Sequence, residues 1–148
     1  MPKLPDARRL AALVSHVTGT MFGPTFVPAD QALRGESLCE QMFMIRLKAT
    51  PGVVVVLSVD ARAGRKLSAA FLRCPERDLS RAMVDDVISE LLNMVAGQIA
   101  KVIELDQLLG LPRRTTLGEM AQERLDLDDA ILLRSEGEID LGLWILEE

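Results

Sequence analysis

Apolar positions recur every three to four residues over 6–21, where Leu10, Leu13, Val14, Val17 and Met21 follow Asp6. This spacing predicts an amphipathic helix with Asp6 as its N-cap, ended by Gly23-Pro24. The period then shortens to two. Between Leu38 and Ala49, Phe43, Ile45 and Leu47 alternate with Met44, Arg46 and Lys48, and Thr50-Pro51-Gly52 turns the chain into the run Val53–Val59. A valine run without polar alternation suits burial on both faces, so the pair reads as a hairpin whose second strand is central. Residues 62–73 predict a short helix broken at Pro75, and a long helix is expected from about Asp78 to Leu108, stopped by Gly110 and Pro112. A second hairpin closes the chain. Ala130–Leu133 leads through a turn at Ser135-Glu136-Gly137 to Ile139, Leu141, Leu143 and Ile145, which alternate with Asp140, Gly142 and Trp144. The expected fold class is α+β, an antiparallel sheet with long amphipathic helices.

The chain also resembles itself. Leu13-Val-Ser-His-Val-Thr-Gly-Thr-Met-Phe22 lies over Leu91-Leu-Asn-Met-Val-Ala-Gly-Gln-Ile-Ala100 with leucine, valine and glycine in register, and Thr50–Gly52 with its strand resembles Ser135–Gly137 with its strand. Each half, about 6–60 and about 78–148, thus reads as a helix plus a β-hairpin within a single domain 1–148, which predicts pseudo-two-fold symmetry. Coincidence between two amphipathic helices is the competing explanation. The halves differ where it matters for chemistry: Glu90 and Asn93 of the second correspond to Ala12 and Ser15 of the first.

Composition narrows the functions available. Seventeen Lys and Arg against 22 Asp and Glu give a net charge of −5, which disfavours binding dominated by a phosphate backbone, so no nucleic acid is expected. The longest pure aliphatic run, Val53–Leu57, is far short of a membrane span. No apolar block and cleavage site follow Arg8-Arg9, so the expected compartment is the cytoplasm. Cys39 and Cys74 lack ligand spacing, and His16 is the only histidine; two reduced cysteines and no metal site are expected. An apolar share of 49% implies either a generous core or a surface covered by a partner.

At about 100° per residue, the long helix puts Val84, Val87, Ile88, Leu91, Leu92, Val95, Ile99 and Val102 on one face. The opposite arc holds Asp85, Asp86, Ser89, Glu90, Asn93, Ala96, Gly97, Ala100 and Lys101, with Asn93 near its centre. A solvated face is the plain explanation of such an arc. Yet Asn and Gly cost roughly 0.5–1 kcal/mol each relative to Ala in a helix, and two of them one turn apart ask for a reason. Close approach of another molecule is one: Gly97, Ala96 and Ala100 would leave the Asn93 amide projecting from a low surface.

Asp86-x-x-x-Glu90-x-x-Asn93 resembles the Asp/Ser-x3-Glu-x2-Asn signature of the CheC/CheX/FliY chemotaxis phosphatases, and Glu90-Leu-Leu-Asn-Met-Val-Ala-Gly97 is similar to the long helix of the CheX branch. Length, the single intact signature and the helix-plus-hairpin repeat extend the resemblance over nearly the whole chain. Pro112 departs from the pattern: only 18 residues separate it from Asn93, fewer than the family spacing, which puts the shape of the rim beyond the helix in question.

The resemblance implies a phosphatase acting on the aspartyl phosphate of a CheY-type response regulator. Glu90 and Asn93 would be catalytic, and Asp86 and Gly97 would contact the partner. It further implies no cofactor of the chain's own, Mg²⁺ supplied by the regulator, and a homodimer. The alternative is a non-catalytic module of the same fold that binds a regulator or serves dimerisation. His16, aligned with Met94, reads as a packed or half-exposed histidine; Met42, Met44, Met83 and Met94 read as core fillers. Arg113-Arg114 reads as a solvated pair or a contact at the rim.

Overall fold

The computed structural model describes residues 4–29, 40–48, 52–103, 107–108, 110–122, 130–136 and 139–147. Helix α1 spans Ala7–Met21, and Asp6 caps it by accepting from the Arg9 amide at 2.9 Å. Gly23 ends the turn at φ 102°, a left-handed conformation that glycine adopts without steric cost. Leu10, Ala11, Val14 and Val17 are buried.

Strands β1 (Phe26–Pro28), β2 (Gln41–Lys48) and β3 (Val53–Val59) follow, then helix α2 (Ala61–Leu72). After a 3₁₀ turn at Glu76–Asp78 comes helix α3, Arg81–Val102. Strands β4 (Gln107–Leu108) and β5 (Arg113–Thr115), a short helix α4 (Leu117–Gln122), and strands β6 (Ile131–Ser135) and β7 (Asp140–Glu147) complete the chain.

All pairings are antiparallel, in the order β1-β6-β7-β3-β2-β4, with β5 also pairing β2. Both expected hairpins are present, β2·β3 and β6·β7, and they join through β3·β7, so β3 is central as the valine run predicts. The order has a crossed symmetry about that junction. β1, which follows α1, pairs the second hairpin, and β5, which follows α3, pairs the first. The turn residues Thr50, Pro51 and Gly137, and Cys39, lie outside the described residues.

Every residue of β3 is buried, because both faces of the sheet are covered. On the helical face, Phe43, Ile45, Leu47, Val55 and Leu57 pack with α1, α2 and α3. On the other, Met42, Met44, Val54 and Val56 surround Trp144, Leu132, Met120 and Ala130. Met44, which the alternation sets on the polar side of β2, is therefore buried, and Met42 and Met44 do fill a core.

The long helix is shorter than its periodicity suggests. Ser80 Oγ accepts from the Met83 amide at 3.1 Å and starts α3 at Arg81, not Asp78. Its last helical residue is Val102, and Gln107–Leu108 leaves the helix to pair with Leu47–Lys48 of β2. An unpaired edge of a central hairpin offers backbone groups that a short extended segment satisfies, and that pairing overrides the helical pattern.

Candidate functional site

Helix α3 lies on β2 and β3, with α1 and α2 packed beside it. Its buried face comprises Val84, Val87, Ile88, Leu91, Leu92, Val95 and Ile99, as expected, while Val102 is half-buried. On the opposite side, Asp86 and Glu90 are exposed, and Asn93 and Gly97 are half-buried. Spacings of four, three and four set these four residues in a nearly axial stripe.

Three members of the predicted arc are placed differently, while Ser89 is half-buried like Asn93 and Gly97. Ala96 is fully buried and Ala100 is 6% exposed, so neither lowers the outer surface. Both belong to the hydrophobic core, so these small residues serve packing inside the protein. Asp85 is drawn sideways, accepting from Gln41 Nε2 at 3.2 Å and from Arg114 Nη1 at 2.9 Å. The open stripe is thus centred closer to Glu90 and Gly97 than the wheel suggests.

Gly97 is the informative member. A Cβ built there meets nothing within 4 Å, so packing within the described chain does not require glycine, although glycine costs about 1 kcal/mol in a helix. No side-chain hydrogen bond or ion pair ties Asp86, Glu90 or Asn93 to another described residue, whereas neighbouring Asp85 has two. A carboxamide with both donor and acceptor uncommitted, flanked by two free carboxylates, can bind water and an oxyanion together but supplies no nucleophile. Among the described residues no three His, Cys, Asp or Glu side chains converge as metal ligands would, and no helix is long and apolar enough to cross a membrane.

At the corresponding positions of α1, Ala12 and Gly19 are exposed but Ser15 is engaged. Ser15 Oγ is bonded to both backbone groups of Phe26, and a Cβ on Gly19 would stand 3.5 Å from Thr25 Cγ2. His16 is exposed on this helix. Of the arginine pair, Arg114 is engaged by Asp85 and lies over the Phe43 ring, a tie between strand and helix that sequence spacing did not reveal.

A family model described as Chemotaxis phosphatase CheX matches residues 42–131, a segment that contains the whole stripe. The chain belongs to the CheX family. Similar architecture in solved structures covers nearly all of the chain. The CheX–CheY–BeF3–Mg²⁺ complex from Borrelia burgdorferi matches with a TM-score of 0.66 at 14% identity, covering 98% of this chain and 100% of that one. A putative chemotaxis protein from Desulfovibrio vulgaris Hildenborough gives 0.65 at 15% identity, with 96% of each chain covered. The chemotaxis protein CheX from Vibrio vulnificus gives 0.62 at 14%, with 93% of each covered. At these identities the likeness is one of fold. Comparison with curated protein sequences finds no match.

Proposed function

We propose that this CheX-family protein accelerates hydrolysis of the aspartyl phosphate of a CheY-type response regulator, by laying the outer stripe of α3 into the regulator's phosphorylated site. The observation that carries the reading is the open space above Gly97 beside an uncommitted Asn93 amide. Membership of a family described as chemotaxis phosphatase supports it, as does a similar fold solved in complex with CheY.

Loss of phosphate from an acyl phosphate proceeds through a loose transition state whose charge is managed largely by a metal ion and a cation, both expected in the regulator. The protein's task is then positioning. Asn93 Oδ1 would accept from the attacking water, while its Nδ2 donates to a phosphoryl oxygen, without bringing negative charge towards the phosphate. Glu90, one turn earlier, would accept from a regulator lysine and fix the docking register. Asp86 and Gly97 would complete the contact at either end. The chain would hold no cofactor; Mg²⁺ belongs to the regulator. We place the active half at about 78–148, and read about 6–60 as a degenerate copy whose site is shut by Ser15. A cytoplasmic homodimer completes the reading.

The test is phosphate release from regulators phosphorylated by a small-molecule donor, with wild type, Asn93→Ala and Glu90→Ala. Wild type is expected to speed the loss and either substitution to abolish most of the effect. Binding of the phosphorylated regulator without acceleration would instead establish the docking-module alternative, which the short Asn93–Pro112 spacing favours. Light scattering tests the dimer.

A further inference from the structure

Asp85 immediately precedes the stripe, yet the chemistry proposed above leaves it unused. Its two carboxylate oxygens are held by two different strands: Oδ1 by Gln41 Nε2 of β2 at 3.2 Å, and Oδ2 by Arg114 Nη1 of β5 at 2.9 Å. Arg114 is steadied in turn by Phe43, its register partner across the β2·β5 pair, with Cζ 5.6 Å from the ring centroid. Gln41 is 9% exposed and is confined from behind by α2. There Gly64 leaves the room that Gln41 Oε1 occupies, since a Cβ on residue 64 would stand 2.3 Å from that oxygen.

We infer that Asp85 is a positioning residue that sets the rotation of α3 about its own axis, with Gln41 and Arg114 as its two clamps. The inference rests on the reading of the stripe as the phosphatase site. The apolar face of α3 forbids a turn as large as the 100° between Asp85 and Asp86, so polar contacts at its edge can bias only small rotations. Functional atoms stand roughly 6 Å from a helix axis, so a rotation of about 10° moves them by about 1 Å. A misplacement of that size is enough to lower a rate, by no more than the clamp's own free energy allows. Two bonds reaching Asp85 from different strands oppose rotation in either sense. Because the Arg114 and Asp85 side chains are 41% and 26% exposed, the pair adds little to overall stability. Its effect is directional.

The inference is tested by steady-state dephosphorylation of a cognate regulator with Asp85→Ala, Arg114→Ala, the double variant and Arg114→Lys. Each alanine variant is expected to lower kcat by roughly two- to fivefold, the most a pair this exposed can bias, with KM unchanged and Tm lowered by at most roughly 4 °C. The double variant should be no slower than the slower single one, because both open the same clamp. Arg114→Lys, which keeps a cation in reach of Asp85, should recover part of kcat. Unchanged kcat in the single variants overturns the inference. So do losses that multiply in the double variant, or a raised KM at constant kcat, which would make Arg114 a direct contact to the partner. If wild type accelerates no regulator, the functional reading itself fails and this inference falls with it.

Discussion

Ser15 Oγ sits between the two backbone groups of Phe26, donating to the carbonyl oxygen at 3.0 Å and accepting from the amide at 2.7 Å. This one hydroxyl ties α1 to β1, an edge strand whose backbone would otherwise be open on that side. Ser15→Ala removes both bonds from a partly buried site and is expected to cost about 1–3 kcal/mol, measured by urea unfolding. The phosphatase rate per folded molecule should not change; a loss of rate at full folding would mean that α1 takes part in the site.

The same contact explains why grafting the signature onto α1 should fail. Ala12→Glu with Ser15→Asn recreates the two residues at the aligned positions; Ala12 is exposed, but residue 15 is half-buried against β1, where an asparagine must displace the bonds to Phe26. The double variant, combined with Asn93→Ala, is expected to show no recovered phosphate release and a lower Tm than Asn93→Ala alone. Recovered release would show that the first half keeps a usable docking surface.

Two helical glycines should respond oppositely to alanine. At Gly97 a Cβ meets nothing within 4 Å, so Gly97→Ala should gain up to about 1 kcal/mol of stability, and a bulky Gly97→Leu should weaken association with the regulator while the chain stays folded. At Gly64 the added Cβ meets Gln41 Oε1 at 2.3 Å and Val84 Cγ1 at 3.2 Å. Gln41 must swing away from Asp85, and the overpacking is expected to exceed the helix gain, for a net loss of about 1 kcal/mol. Thermal melts of the two alanine variants check both signs.

The sequence pattern was legible wherever one periodicity ran long enough to outweigh local noise. Asp6 as a cap, the doubly buried β3, both hairpins and the buried face of α3 follow from spacing alone. Strands β4 and β5 were not legible because two or three residues carry no periodicity; they exist through pairing to β2. For the same reason the helical pattern runs on past Val102, where α3 ends. In the site, Asp86, Glu90, Asn93 and Gly97 share one stripe as the helical repeat dictates. Ala96 and Ala100 are ambiguous in sequence because small residues suit close packing inside a protein, where both lie, as well as close approach from outside. The capture of Asp85 by Gln41 and Arg114 joins residues remote in sequence, and no local signal announces it.

The neutrality of Asn93 is the most specific part of the proposed chemistry, and Asn93→Asp isolates it. The substitution preserves size and the acceptor oxygen that would hold water, and on a half-buried helix face it should alter stability by no more than about 0.5 kcal/mol. It removes the Nδ2 donor and sets a carboxylate against a phosphoryl group. Two unit charges about 4 Å apart interact by about 4 kcal/mol at an effective dielectric of 20. Asn93→Asp should therefore be at least as slow as Asn93→Ala, despite being the closer mimic in shape, and weaker in binding the phosphorylated regulator. Were water orientation by an acceptor sufficient, the aspartate would retain activity that alanine loses, and that ordering would remove the amide donor from the mechanism.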